Sequence, residues 1–107
     1  MGDNNLNINS GLILYQPVYK ILQVMRAKGI PINKNRKDIL IALWDHGKEI
    51  RAEALWLGIR PFKKISISSV YSNLNLFVRK GIVERTERPG MQAKYAIRAM
   101  KQFDNMI

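Results

Sequence analysis

Between Ile65 and Ile97 the chain reads ISISSVYSNLNLFVRKGIVERTERPGMQAKYAI, and the order of its parts leaves few folds open. Ser66 is a helix cap, and the run behind it places Ile67, Val70, Leu74, Phe77 and Val78 on one side of a helix. Gly81 stops that helix. Ile82, Val83, Glu84, Arg85 and Thr86 then read as a strand, Arg88, Pro89 and Gly90 as a turn, and Ala93, Tyr95 and Ile97 alternate inward along a returning strand. This is the layout of a recognition helix followed by a wing. A helix fits the major groove of duplex DNA, and a basic hairpin can lie along the neighbouring backbone.

The opposite side of the capped helix carries Ser68, Ser69, Ser72, Asn75, Leu76 and Arg79. Short hydroxyl and amide side chains allow close approach to phosphates and base edges. An ordinary solvent face is the alternative, but such faces favour Glu and Lys, which are better helix formers than Ser and Asn. Charge points the same way. Ten basic residues between Arg60 and Lys101 meet only Glu84 and Glu87, and the whole chain of 107 residues has a formal charge of +10. Such a field suits a polyanion, with RNA, ribosomes and anionic lipid left open by composition alone.

The hydrophobic content of 47% is enough for one compact core, and 107 residues favour a single domain. The chain has no cysteine, which excludes disulfides, thiol catalysis and thiolate metal sites. No apolar run reaches the roughly 18 residues of a membrane span, and the amino terminus MGDNNLNINSG lacks a secretory pattern. The cytoplasm is the default expectation.

Residues 1–16 read as an arm, flexible or interface-forming, with an apolar patch at Leu12, Ile13, Leu14 and Tyr15. A first helix begins at Pro17, carries Val18, Ile21, Leu22 and Met25, and ends at Gly29 and Pro31. Asn33 caps a second, with Ile39, Leu40 and Leu43 on one face, Trp44 at its edge and a stop near Gly47. Lys34, Arg36 and Lys37 crowd its start, the wrong end for the helix dipole, which suits an external phosphate as well as a merely exposed basic turn. A third helix is expected over Arg51 to Gly58, burying Leu55 and part of Ala52, Trp56 and Ile59, before Pro61 forces a turn. The winged-helix domain would span 17–98. Residues 99–107, with Met100, Phe103, Met106 and Ile107, make a short final segment that could be helical.

Asn33, Arg36, Ile39, Leu40 and Leu43, then Ala52, Glu53, Leu55 and Trp56, then ISISSVYSNLNLFVRKGIVER with Lys94, Tyr95 and Ala96, resemble the DNA-binding half of ferric uptake regulators. The resemblance implies a mainly α fold with a small hairpin wing, a winged helix-turn-helix, over about Ile30 to Ile97. Family members continue into a dimerisation domain that binds metal through His, Asp, Glu and Cys. With one histidine, His46, and no cysteine, those sites have no counterpart here, so no metal and no cofactor is expected. His46 sits at a helix end and reads as a capping or solvent residue. Two departures stand out. Ser72 occupies the position where the family commonly has an arginine that contacts DNA, beside the tyrosine matched by Tyr71, while Ser69 keeps a hydroxyl in place of the usual threonine. Arg51 replaces a helix-capping serine.

The expectation is a sequence-specific DNA-binding transcriptional regulator without an intrinsic metal sensor. Ser68, Ser69, Tyr71, Ser72, Asn75 and Arg79 would enter or border the major groove of double-stranded DNA. Arg85, Arg88 and Lys94 would contact backbone or minor groove, and Lys34, Arg36 and Lys37 would add phosphate contacts. The Leu12–Tyr15 patch and the last eight residues are candidate homodimer interfaces, or else they close the domain's own core. The alternatives are a winged helix that binds a protein partner, motivated by Ser72 and an exposed Leu76, and a nonspecific DNA binder. An enzyme is not expected, because nucleophile–base spacing, a glycine-rich phosphate loop and a ligand cluster are all missing.

Overall fold

The computed structural model describes residues 16–98. The readings for the Leu12–Tyr15 patch and for the segment from Met100 to Ile107 lie outside the described residues. The chain divides into two units, Met1–Ile32 and Asn33–Ile107. In the first, helix α1 covers Gln16–Ala27, with Val18, Leu22 and Met25 buried at helical spacing. It ends as its glycine requires: Gly29, at φ 77°, donates to the Arg26 carbonyl, and the Ile30 amide reaches back to Met25.

The second unit runs α2 (Lys34–His46), β1 (Ile50–Arg51), α3 (Ala52–Ile59), α4 (Ile67–Arg79), β2 (Val83–Thr86) and β3 (Lys94–Ile97). Asn33 caps α2, its side chain accepting the Arg36 amide at 2.9 Å, and Gly47 closes it in the left-handed region. Ser66 caps α4, accepting the Ser69 amide at 3.1 Å. Each apolar stripe goes inward. Ile39, Leu40 and Leu43 of α2, Ala52, Leu55 and Ile59 of α3, and Val70, Leu74 and Phe77 of α4 are buried with Ile82, Val83, Tyr95 and Ile97. Fully burying a large apolar side chain is worth about 1.5–3 kcal/mol, so this shared core sets the arrangement of the three helices and the sheet.

The sheet has three antiparallel strands in the order β1-β3-β2, not the two read from the sequence. The extra strand, Ile50 and Arg51, pairs with Tyr95 and Lys94 and is too short for alternation to reveal. Its presence moves the start of α3 to Ala52, and Arg51 becomes the flanking residue. Strand β2 starts at Val83 because the Ile82 amide is turned back to the Phe77 carbonyl at 2.9 Å; only the Ile82 carbonyl, which accepts the Arg98 amide at 2.9 Å, faces the returning strand. Leu76, expected to be exposed, is half-buried.

Gly81 joins α4 to the hairpin. Its φ of 75° is paired with a bond from its amide to Val78, and the following amide returns to Phe77, so the last carbonyls of α4 are satisfied as the chain reverses. A Cβ placed on Gly81 would come no closer than 3.7 Å to the Arg98 guanidinium, an ordinary contact. The requirement for glycine is therefore conformational. Gly81→Ala should lower stability by about 1–2 kcal/mol, read as a lower urea midpoint with an unchanged denaturant slope; an unaltered midpoint would show that the left-handed turn is not required.

Candidate nucleic-acid interface

Burial of one side of α4 leaves the other outward. Ser68, Ser72, Asn75 and Arg79 are exposed along it, as the sequence pattern anticipates. Ser69 is different. It is half-buried, its hydroxyl accepts from the Asn73 amide at 3.3 Å and from Asn35 of α2 at 3.4 Å, and its carbonyl accepts from Asn73 at 2.8 Å. Asn73 in turn accepts Arg36 Nε at 3.0 Å. Arg36 and Ser69 thus belong to a polar link between the start of α2 and the first two turns of α4. Asn35 and Asn73 were not singled out from the sequence. Periodicity places a polar residue but cannot say that its partner is on another helix. Lys34 is exposed and Lys37 half-buried.

The approach to α4 is also tied down. Trp56 of α3 donates its indole N–H to the Ile65 carbonyl at 2.8 Å, and the Arg60 guanidinium lies 5.0 Å from the Trp56 ring centroid. Tyr71, 38% exposed, donates its hydroxyl to Glu53 Oε1 at 3.0 Å and so joins α4 to α3. That hydrogen bond, then burial and the Glu53 charge, favour the protonated phenol and raise the Tyr71 pKa.

In the hairpin, strand register separates the charges. Val83 opposite Ile97 and Arg85 opposite Tyr95 belong to the side holding the buried residues, whereas Glu84, Thr86, Lys94, Ala96 and Arg51 fall on the other. Arg85 is exposed and paired with Glu87. Hydrogen bonding to Tyr95 raises the Arg85 pKa; desolvation opposes it, and the Glu87 charge adds a lesser increase. Arg88 meets Glu49 at 3.4 Å and Arg98 meets Glu84 at 3.5 Å. Lys94 is half-buried beside Thr86, Arg88, Met91 and Gln92, which line a small depression in the wing.

His46 lies away from these groups. It lines an open groove of about 370 Å³ between α2 and α3, with Ile41, Ile50, Leu55, Phe62, Asp38 and Asp45 among its neighbours. Among the described residues, no three His, Cys, Asp or Glu side chains gather where they could hold a metal ion, and no helix is long and apolar enough to cross a membrane.

The sequence profile of the ferric uptake regulator family matches residues 27–107. The chain belongs to the ferric uptake regulator family. Solved members of similar structure include a ferric uptake regulator from Vibrio cholerae, with a TM-score of 0.65 and 27% identity over 70% of this chain and 59% of that one. A second, from Helicobacter pylori and described as having three functional metal binding sites, has a TM-score of 0.67 and 25% identity over 78% of this chain and 57% of its own. PerR from Streptococcus pyogenes, described in terms of peroxide sensing and gene regulation, gives a TM-score of 0.68 at 24% identity, with coverage of 75% and 56%. Among curated proteins none matches. This chain spans less than three-fifths of the length of these solved relatives. The fold is the winged helix-turn-helix of the family, with α3 and α4 as its helix-turn-helix and β2–β3 as the wing.

The Tyr71–Glu53 bond has a testable pH signature. A raised folded-state pKa means that its contribution to stability is present throughout neutral and mildly alkaline pH and is lost as pH rises through the Tyr71 value. Tyrosine ring-carbon NMR should show Tyr71 titrating above the usual tyrosine range, and Glu53→Gln should bring it down. An unmoved titration in that variant would remove Glu53 as the cause.

Proposed function

We propose that this chain binds duplex DNA sequence-specifically and regulates transcription by occupying promoter sites. The observation that carries the reading is the row of exposed short polar side chains, Ser68, Ser72 and Asn75, ending in Arg79 on a helix whose other side buries Val70, Leu74 and Phe77. The row fits a major groove, where hydroxyl, amide and guanidinium groups can meet base edges and phosphates. Tyr71 borders it, and Arg85, Arg88 and Lys94 supply the wing's backbone contacts, with Lys34 and Lys37 near the α2 cap adding to the field. In this assignment Ser69 and Arg36 set the position of α4. A homodimer on a two-fold site is the assembly proposed for so small a reading surface. Family membership supports the regulator class, and the half-burial of Leu76 reduces the apolar surface that motivated a protein-binding face.

The test is selection from a random DNA pool followed by titration of the enriched duplex at increasing salt. Enrichment of one motif, with binding that falls steeply with salt, is the expected result. Absence of binding at low salt would overturn the reading, and binding without enrichment would reduce it to nonspecific association. Ser72→Arg should tighten binding about tenfold and change the enriched motif, since one good base contact is worth about 1–3 kcal/mol of discrimination. With one histidine and no cysteine in the chain, a chelator should leave its affinity unchanged; loss of binding on chelation would contradict a metal-independent mode of action.

A further inference from the structure

Strand β1 is two residues long, yet its second residue carries a charge into an unusual place. Arg51 lies directly opposite Lys94 of β3, and Lys94 lies opposite Thr86 of β2. Registered partners project from one side of a sheet, so guanidinium, ammonium and hydroxyl form a row across all three strands, on the side away from Val83, Tyr95 and Ile97. Like charges directly opposite one another destabilise a ladder. An anion between them reverses the sign.

Arg51 does no other evident work. It flanks the start of α3 without a side-chain capping bond, and it is exposed. Arg85, Arg88 and Arg98 are each paired with a carboxylate, whereas the Arg51 partner is neutral: its Nη1 donates to Gln92 Oε1 at 3.2 Å. Gln92 lies two residues before Lys94, in the turn that leads into β3. Gln92 also lines the depression formed with Thr86, Arg88, Met91 and Lys94, so its bond holds the guanidinium at the rim of that depression without neutralising it. A planar fork of donors, a mobile point charge and a hydroxyl are a donor set for a tetrahedral oxyanion.

We propose that Arg51 and Lys94, with Thr86 beside them and Gln92 as the positioning residue, hold one backbone phosphate of bound DNA. The inference rests on the DNA-binding reading above and adds to it a contact from the edge of the sheet. The site is shallow and open, which suits a phosphodiester already delivered by a larger interface. It also gives a role to Arg51, which flanks α3 without capping it.

The experiment compares wild type, Arg51→Ala, Arg51→Lys and Gln92→Ala on the selected duplex across a salt series, with phosphate-ethylation interference alongside. Arg51→Ala should weaken binding several-fold on every sequence tested, lower the slope of log K against log salt by about 0.9, and abolish interference at one phosphate. Arg51→Lys should restore the slope. Gln92→Ala, with all cations kept, should retain the slope and lose part of the affinity. Thermal melting of each variant separates these effects from misfolding, and the lysine variant keeps the test decisive if Arg51→Ala is unstable. Wild-type binding with the slope and interference pattern unchanged in Arg51→Ala would overturn this inference and leave the DNA-binding reading intact. No wild-type binding at low salt would overturn both.

Discussion

The orientation of α4 is decided by its inner side. Val70, Leu74 and Phe77 are fully buried, and rotating the helix by one residue, about 100°, would expose part of that stripe while driving serine and asparagine into the core. Removing hydrogen-bonding groups from water without partners costs about 1–3 kcal/mol each in proteins. The reading surface is thus the complement of a packing problem. Its rigidity comes from the links at either end: the Ser66 cap and the Trp56–Ile65 bond before the helix, and the Gly81 reversal behind it.

Polar bonds refine what packing leaves coarse. Apolar burial is non-directional, so it can place α4 against α2 and α3 without determining its slide along them. The chain from Arg36 through Asn73 to Ser69, joined by Asn35, has direction. Tyr71 and Glu53 make a second tie, to α3. Together they attach the helix to both of its predecessors, so the serine row is offered from a braced element rather than from an isolated amphipathic helix.

Local signals and tertiary signals were unequally legible in the sequence. Caps at Asn33 and Ser66, stops at Gly47 and Gly81, and the inward stripe of α4 could all be read, because each depends on residues within a few positions of one another. Strand β1 could not, since two residues carry no period and its pairing lies more than forty positions away. Leu76 was misplaced for a related reason: an angle on a helical wheel does not reveal which neighbours cover its edge. Of the site residues, Ser68, Ser72, Asn75 and Arg79 emerged on the expected side, whereas Ser69 and Arg36 had partners that only the assembled helices bring within reach.

The hairpin's ion pairs change the meaning of its charge. Arg85, Arg88 and Arg98 look like bare cations in a count of residues, but Glu87, Glu49 and Glu84 already sit against them. A phosphate arriving at such an arginine does not simply fill an empty field; it exchanges one oxyanion for another on the same donor. The energy of that exchange depends on how well the incoming oxygens match the guanidinium fork, not on charge alone. Much of the wing is in this sense buffered against indiscriminate polyanions, and its attraction is concentrated where shape and register bring a phosphate within hydrogen-bonding reach.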